Sequence, residues 1–194
     1  MPAPSLTPSN ESILRKAHQG SLVTALAALT LPSNSGWLPL GHSALHGITK
    51  DHRASGSVPI NNGALAEYLA IAAPTHCADG WSYLSRAMHS YFTGDSHSAR
   101  HFAYYAELRA AQSILSAVGC GAFNSWNCVV DVAGQTHELS GKLPTHHMVW
   151  LALRFLVDHS AAAAATVARA TSILGQSLPE IGRASCRERV CTLV

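Results

Sequence analysis

The sequence predicts an all-α fold, a helical bundle of about five or six helices. Three observations lead there. Apolar residues recur at three- and four-residue spacing over most of the chain, Gly, Pro, Asp and Ser clusters separate those stretches, and no run shows a sustained alternation of apolar and polar residues. The 194 residues are 47% hydrophobic, enough to fill one core, but only 12% charged, about half the usual ~25%. A surface so poor in charge suggests a partner or further domains to lean on.

The elements follow in order. Residues 1–9 (MPAPSLTPS) are Pro/Ser-rich and are expected to be disordered, leaving a single helical domain over 10–178. Ser9 or Asn10 caps a first helix reaching about Leu31, with Ile13, Leu14, Ala17, Leu22, Leu26 and Leu29 as its apolar stripe and Gly20 as its weak point. Its apolar run is too short to span a bilayer and lacks a small-x-small cleavage site, so a membrane location is not expected. Residues 42–62 form a long loop bearing His42, His46 and His52. Gly63 to Ala73 is a short helix ended by Pro74, and Asp79 caps another through about Phe92, with Trp81, Leu84, Met88 and Tyr91 at helical spacing.

TGDS (93–96) is a turn, and Asp95 or Ser96 caps the next helix, ARHFAYYAELRAAQSILSAVG over 99–119. Ala99, Ala103, Ala106, Ala110, Ser113 and Ala117 make one face of small residues, which admits a neighbouring helix closely. Tyr104, Leu108, Ala111, Leu115 and Val118 make a second, larger stripe beside it. Tyr105 points about 100° away from Tyr104, toward a rim where its hydroxyl can find a partner. Gly119 suits the left-handed residue that ends a helix. Residues 128–143 are ambiguous, with CVVDVAG readable as a strand or a helical turn. Pro144 starts THHMVWLALRFLVDHS, and an alanine-rich helix follows over 160–178.

The ending differs in kind. Residues 181–190 (IGRASCRERV) resemble the translation of a sequencing adapter, so 181–194 is expected to be a non-native tail and the natural C-terminus to lie elsewhere. The formal charge is +2; without Arg183, Arg187, Arg189 and Glu188 the 13 basic and 11 acidic residues become ten of each. The basic balance then offers no argument for nucleic acid. Cys186 and Cys191 go with the tail. Cys77, Cys120 and Cys128 remain, with no C-x-x-C pair, as expected of reduced thiols in a cytoplasmic protein.

GDSHSARHFAYYAELRAAQSILSAVG resembles the signature helix of HEPN-type bundles, especially small bacterial proteins partnered with minimal nucleotidyltransferases. The matching residues are Ala103, Tyr104, Tyr105, Ala106, Leu108, Ala110, Ala111, Ile114, Leu115 and Gly119, and THHMVW (145–150) resembles the His-His stretch that follows in that family. The resemblance covers about 80–160 and implies a four- or five-helix bundle, often a homodimer. Its members act on RNA as metal-independent ribonucleases of toxin or defence systems, or have lost catalysis and bind partners such as the nucleotidyltransferase. No cofactor is implied.

The family's catalytic mark is Arg, four to six residues, then His. Here it falls on Arg154 and His159, with His146 and His147 as accessory candidates. Arginine would stabilise charge on a phosphorane and histidine would move protons at the 2′-hydroxyl and the leaving oxygen. Against this, Phe155 stands where active members carry a polar residue, and five-residue spacing puts the pair about 140° apart on an ideal helix. Arg154 could equally pair with Asp158 while His159 ends the helix. Two further readings stay open: a non-catalytic helical interaction domain, and a metal-binding bundle using His97 and His101, one turn apart. H-E-x-x-H is absent and carboxylates are few, which argues against the metal.

Overall fold

The computed structural model describes residues 5–28, 62–123, 126–141, 144–161, 164–165 and 167. The His42–His52 loop, the alanine-rich stretch beyond 167 and the 181–194 tail lie outside them. The chain divides into two compact units, Met1–Phe155 and Leu156–Val194. The first holds α1 (Pro8–Leu14), α2 (Gly20–Ala28), α3 (Asn62–Phe92), α4 (Ser96–Ala117), β1 (Cys120–Phe123), β2 (Trp126–Val130) and β3 (Thr136–Glu138). The last helix, α5 (Thr145–His159), begins in the first unit and ends in the second. In the second unit the amide of Ser160 bonds the carbonyl of Leu156, and that of Ala164 bonds Ser160, continuing the helical pattern.

The fold is mostly helical, but the all-α expectation fails at residues 120–138. There β1, β2 and β3 form an antiparallel sheet in that order, with Cys120 opposite Val129 and Val129 opposite His137. The strands have four, five and three residues. All five residues of β2 are buried, so no alternation marks it. Leu22 of α2, Leu65 and Leu69 of α3 and Trp126, Cys128 and Val130 of β2 form one apolar cluster. The strand is therefore the floor on which two helices sit.

Of residues 1–9, the last two, Pro8 and Ser9, belong to α1, and residues 1–4 lie outside the described residues. Thr7 caps α1, accepting from the Asn10 amide at 3.3 Å, and Pro8 at the first turn lacks only an N–H that would be unbonded anyway. Asn10 is buried instead of capping: its side chain donates to the Ser140 carbonyl and accepts from the Ser140 amide, both at 2.8 Å. The expected first helix is two helices. The chain breaks at 15–19, where the Gly20 amide turns to His18 Nδ1 at 2.9 Å and the His18 amide bonds the Val130 carbonyl at 3.3 Å.

Pro74 does not end a helix; α3 runs through it. Proline removes one backbone donor, and this turn gains others. Thr75 Oγ1 donates to the Ile71 carbonyl at 2.9 Å and Ser113 Oγ to the Ala73 carbonyl at 2.7 Å. Trp81, Leu84, Met88 and Tyr91 share one face of α3 as their spacing predicts, yet that face is exposed.

Asp95 caps α4 by accepting from the Ser98 amide at 3.0 Å, and Gly119 leaves it at φ +88°. A Cβ on Gly80 would lie 3.5 Å from the Ala106 carbonyl and 3.7 Å from the Ala110 amide. The small face of α4 thus receives α3 closely. Leu108, Ala111 and Leu115 are buried on the larger stripe.

Candidate functional site

The close approach of α3 and α4 has a consequence at its rim: the rings at its edge are pressed together. Tyr105 stacks on Tyr83 of α3, with centroids 5.4 Å apart and planes at 26°. The His101 ring meets Tyr105 edge-on at 4.9 Å, and the Arg86 guanidinium lies 5.8 Å over Tyr83. On the other side, Tyr104 reaches α5. Its hydroxyl lies 2.7 Å from His146 Nδ1, and the two rings stack at 5.8 Å and 23°. Burial raises the Tyr104 pKa above the ordinary phenol value, partly opposed by a hydrogen bond from Trp150. The hydroxyl and the imidazole share this hydrogen bond, and the His146 tautomer sets which of the two donates. Arg86, Tyr83, Tyr105, Tyr104 and His146 form a continuous row of rings ended by a cation and an imidazole, each at least partly open to solvent.

Farther along the same helix pair is a polar cluster. Arg109 Nη1 lies 3.2 Å from both His76 Nδ1 and Gln112 Oε1, and its Nε lies 3.6 Å from Asp79. The His76 pKa falls below the usual imidazole value because burial disfavours the cation and Arg109 repels it, with Asp79 pulling the other way. His76 therefore accepts from Arg109 as a neutral ring. Burial likewise raises the phenol of Tyr68, against the attraction of Arg109.

A separate pair joins the β2–β3 connection. His137 Nε2 contacts Asp131 Oδ2 at 2.7 Å, and Lys16 Nζ lies 3.5 Å from His137 Nδ1. The bond to His137 holds the Asp131 carboxyl below the usual carboxylate range. Asp131 Oδ1 also accepts from the amides of Ala133 and Gln135, each at 2.9 Å, so the residue organises the turn.

The residues singled out in the sequence distribute as follows. Tyr104 and His146 come together. His147 is exposed beside His146, and it lies seven residues from the exposed Arg154 on α5, within about 20° of it around an ideal helix. Arg154 and His159 are exposed on α5, either side of the division between the two units. Leu108 and Leu115 are buried, Ala103 and Ala106 half-buried, and Ala110 exposed. His97 and His101 stand exposed near the start of α4, and no group of three metal-ligating residues exists among the described residues. No helix among the described residues is long and apolar enough to cross a membrane.

Tyr83, His76, Arg109 and the Asp131–His137 pair carried no signal in the sequence, because each acquires its partner from a different element or across a turn. Comparison of the chain with protein-family models, curated proteins and solved structures finds no match.

Proposed function

We propose that this chain is a HEPN-like helical domain of the bacterial defence or toxin–antitoxin kind. It acts on RNA, and single-stranded RNA is held by the ring surface of α3, α4 and α5. The row Arg86–Tyr83–Tyr105–Tyr104–His146 supports this reading. Half-exposed rings next to a guanidinium and an imidazole offer aromatic surface for unpaired bases and donors for phosphate oxygens. His147 and Arg154 continue this supply of donors along α5, at a rise of about 10 Å. Arg154 and His159 are the residues on which cleavage would depend.

Binding of a fluorescent single-stranded RNA in EDTA tests the reading, with cleavage of the same RNA followed on gels. Tyr105→Ala and Tyr83→Ala should each weaken binding about tenfold, as removal of a stacking platform does, whereas Arg154→Ala and His159→Ala should abolish cleavage while leaving the fold intact. No binding by the wild-type chain sinks the RNA reading. Binding without cleavage leaves a non-catalytic RNA-binding domain.

A second reading rests on a different observation. The apolar stripe exposed on α3 fits a helical interaction domain that works by assembling with protein, its partner a nucleotidyltransferase or a second copy.

A further inference from the structure

We propose that the exposed stripe of α3 is the surface through which two copies of this chain pair, as an antiparallel two-helix seam. Trp81 is 66% exposed, Leu84 38%, Met88 51%, Tyr91 70% and Phe92 76%. On an ideal helix these five side chains fall within an arc of about 100°. Monomers scatter large apolar groups singly; five on three turns of one helix form a patch.

The spacing identifies the occupant. Trp81, Leu84, Met88 and Tyr91 are separated by three, four and three residues, the a/d pattern of a coiled-coil seam. That pattern reads the same in both directions. An antiparallel copy therefore sets Trp81 against Tyr91 of the second copy and Leu84 against Met88, and both layers recur by symmetry. The surface is complementary to itself, which is the requirement of an isologous dimer.

Area and charge agree. The five exposed fractions amount to about three whole side chains. At ~150–250 Å² each this is about 450–750 Å² per copy, so a pair covers about the 1,000 Å² that separates specific interfaces from casual ones. From Thr75 to Phe92 the charged residues are Asp79 and Arg86, and helix geometry puts both outside the arc, with Arg86 nearly opposite it. Pairing buries no charge. It also leaves the rings of α4 and α5 outside the seam, so the proposal rests on exposure and spacing and not on the RNA reading.

Sedimentation equilibrium of the full chain tests it, with Leu84→Glu and Met88→Lys as separate variants. The wild type should dimerise at micromolar concentration, and each variant should raise the dimer dissociation constant about a hundredfold, as loss of a central anchor does. Both positions are solvent-exposed in one copy, so each variant should keep the wild-type far-ultraviolet circular dichroism. Mixing the two variants should restore a dimer, because this register sets Glu against Lys in one layer and keeps Met against Leu in the other. A monomeric wild type, a dimer indifferent to both variants, or a mixture that stays monomeric would each overturn the proposal. The first result would leave the stripe to a different protein or to a segment of this chain outside the described residues, and the last would refute the antiparallel register.

Discussion

Ser113 of α4 donates its hydroxyl to the carbonyl of Ala73 in α3 at 2.7 Å, one residue before Pro74. A small residue on the α4 face lets the helices come close enough for that bond, and the bond lies at the turn where proline weakens the ladder. Ser113→Ala should cost about 1 kcal/mol in urea unfolding. The N–H restored by Pro74→Ala would bond the Ala70 carbonyl and not that of Ala73, so the cost should be the same in that background. A smaller cost there would show that Ser113 acts through the proline turn.

Two glycines make opposite predictions. Gly119 has φ +88°, and a Cβ there would lie 2.9 Å from the Val130 carbonyl and 3.1 Å from that of His18. Both neighbours are backbone, so Gly119→Ala should destabilise by about 2 kcal/mol or more. Gly80 sits inside α3, where a Cβ would meet α4 at 3.5 Å or beyond, an ordinary contact. Gly80→Ala should stabilise by about 0.5–1 kcal/mol through helix propensity. Gly80→Leu should reverse that sign, since the helix approach leaves no depth for further carbons. Urea midpoints of the three variants check the pair of claims.

What the sequence disclosed of the fold follows the strength of its local signals. Asp95, the small face of α4 and Gly119 were legible because capping, helical spacing and positive φ each have a residue type of their own. Pro74 misled because a helix survives proline when neighbours such as Thr75 and Ser113 supply hydrogen bonds, and Ser113 is 40 residues away in sequence. β2 was obscured because a short strand buried on both faces has no alternation. The stripe Trp81–Leu84–Met88–Tyr91 gave the helix correctly but not its outward direction, since spacing identifies a face and not what covers it. At the site, Tyr104 and His146 were each visible, while their contact required α5 to dock on α4.

The thiols should separate by burial. Cys77 is exposed, whereas Cys120 and Cys128 are free and fully buried. Burial pushes the Cys120 pKa up to about 12, and burial together with Cys120 pushes Cys128 well above the ordinary value. Neither forms thiolate near neutrality, so neither is reactive in the fold. In a chain with Cys186 and Cys191 changed to Ser, one fast equivalent of a chromogenic disulfide reagent should titrate Cys77. The two slow equivalents should follow the rate of opening of the sheet and should become fast in denaturant. Three fast equivalents in native buffer would contradict the burial of β1 and β2.

The Asp131–His137 bond makes an acid-sensitive contribution to stability. In the fold the Asp131 carboxyl is held low, first by His137 and then by the amides of Gln135 and Ala133. Its unfolded value is about 3.9. A carboxyl with a depressed folded pKa contributes stability that is fully present above the unfolded value. That contribution is lost as pH falls through the folded value. Asp131→Asn retains a side-chain oxygen for the two amides but removes the charge facing His137. Its melting temperature should lie below the wild type near neutrality, and the gap should narrow as pH drops below about 4. Asp95, held low by Ser98, adds to the same acid limb, so the variant's melting curve should become shallower with acid but not flat. Melting temperatures of both chains measured across that range decide the matter: a gap that stays constant with pH would mean that the carboxylate charge of Asp131 contributes nothing, and that the residue acts only through the turn it organises.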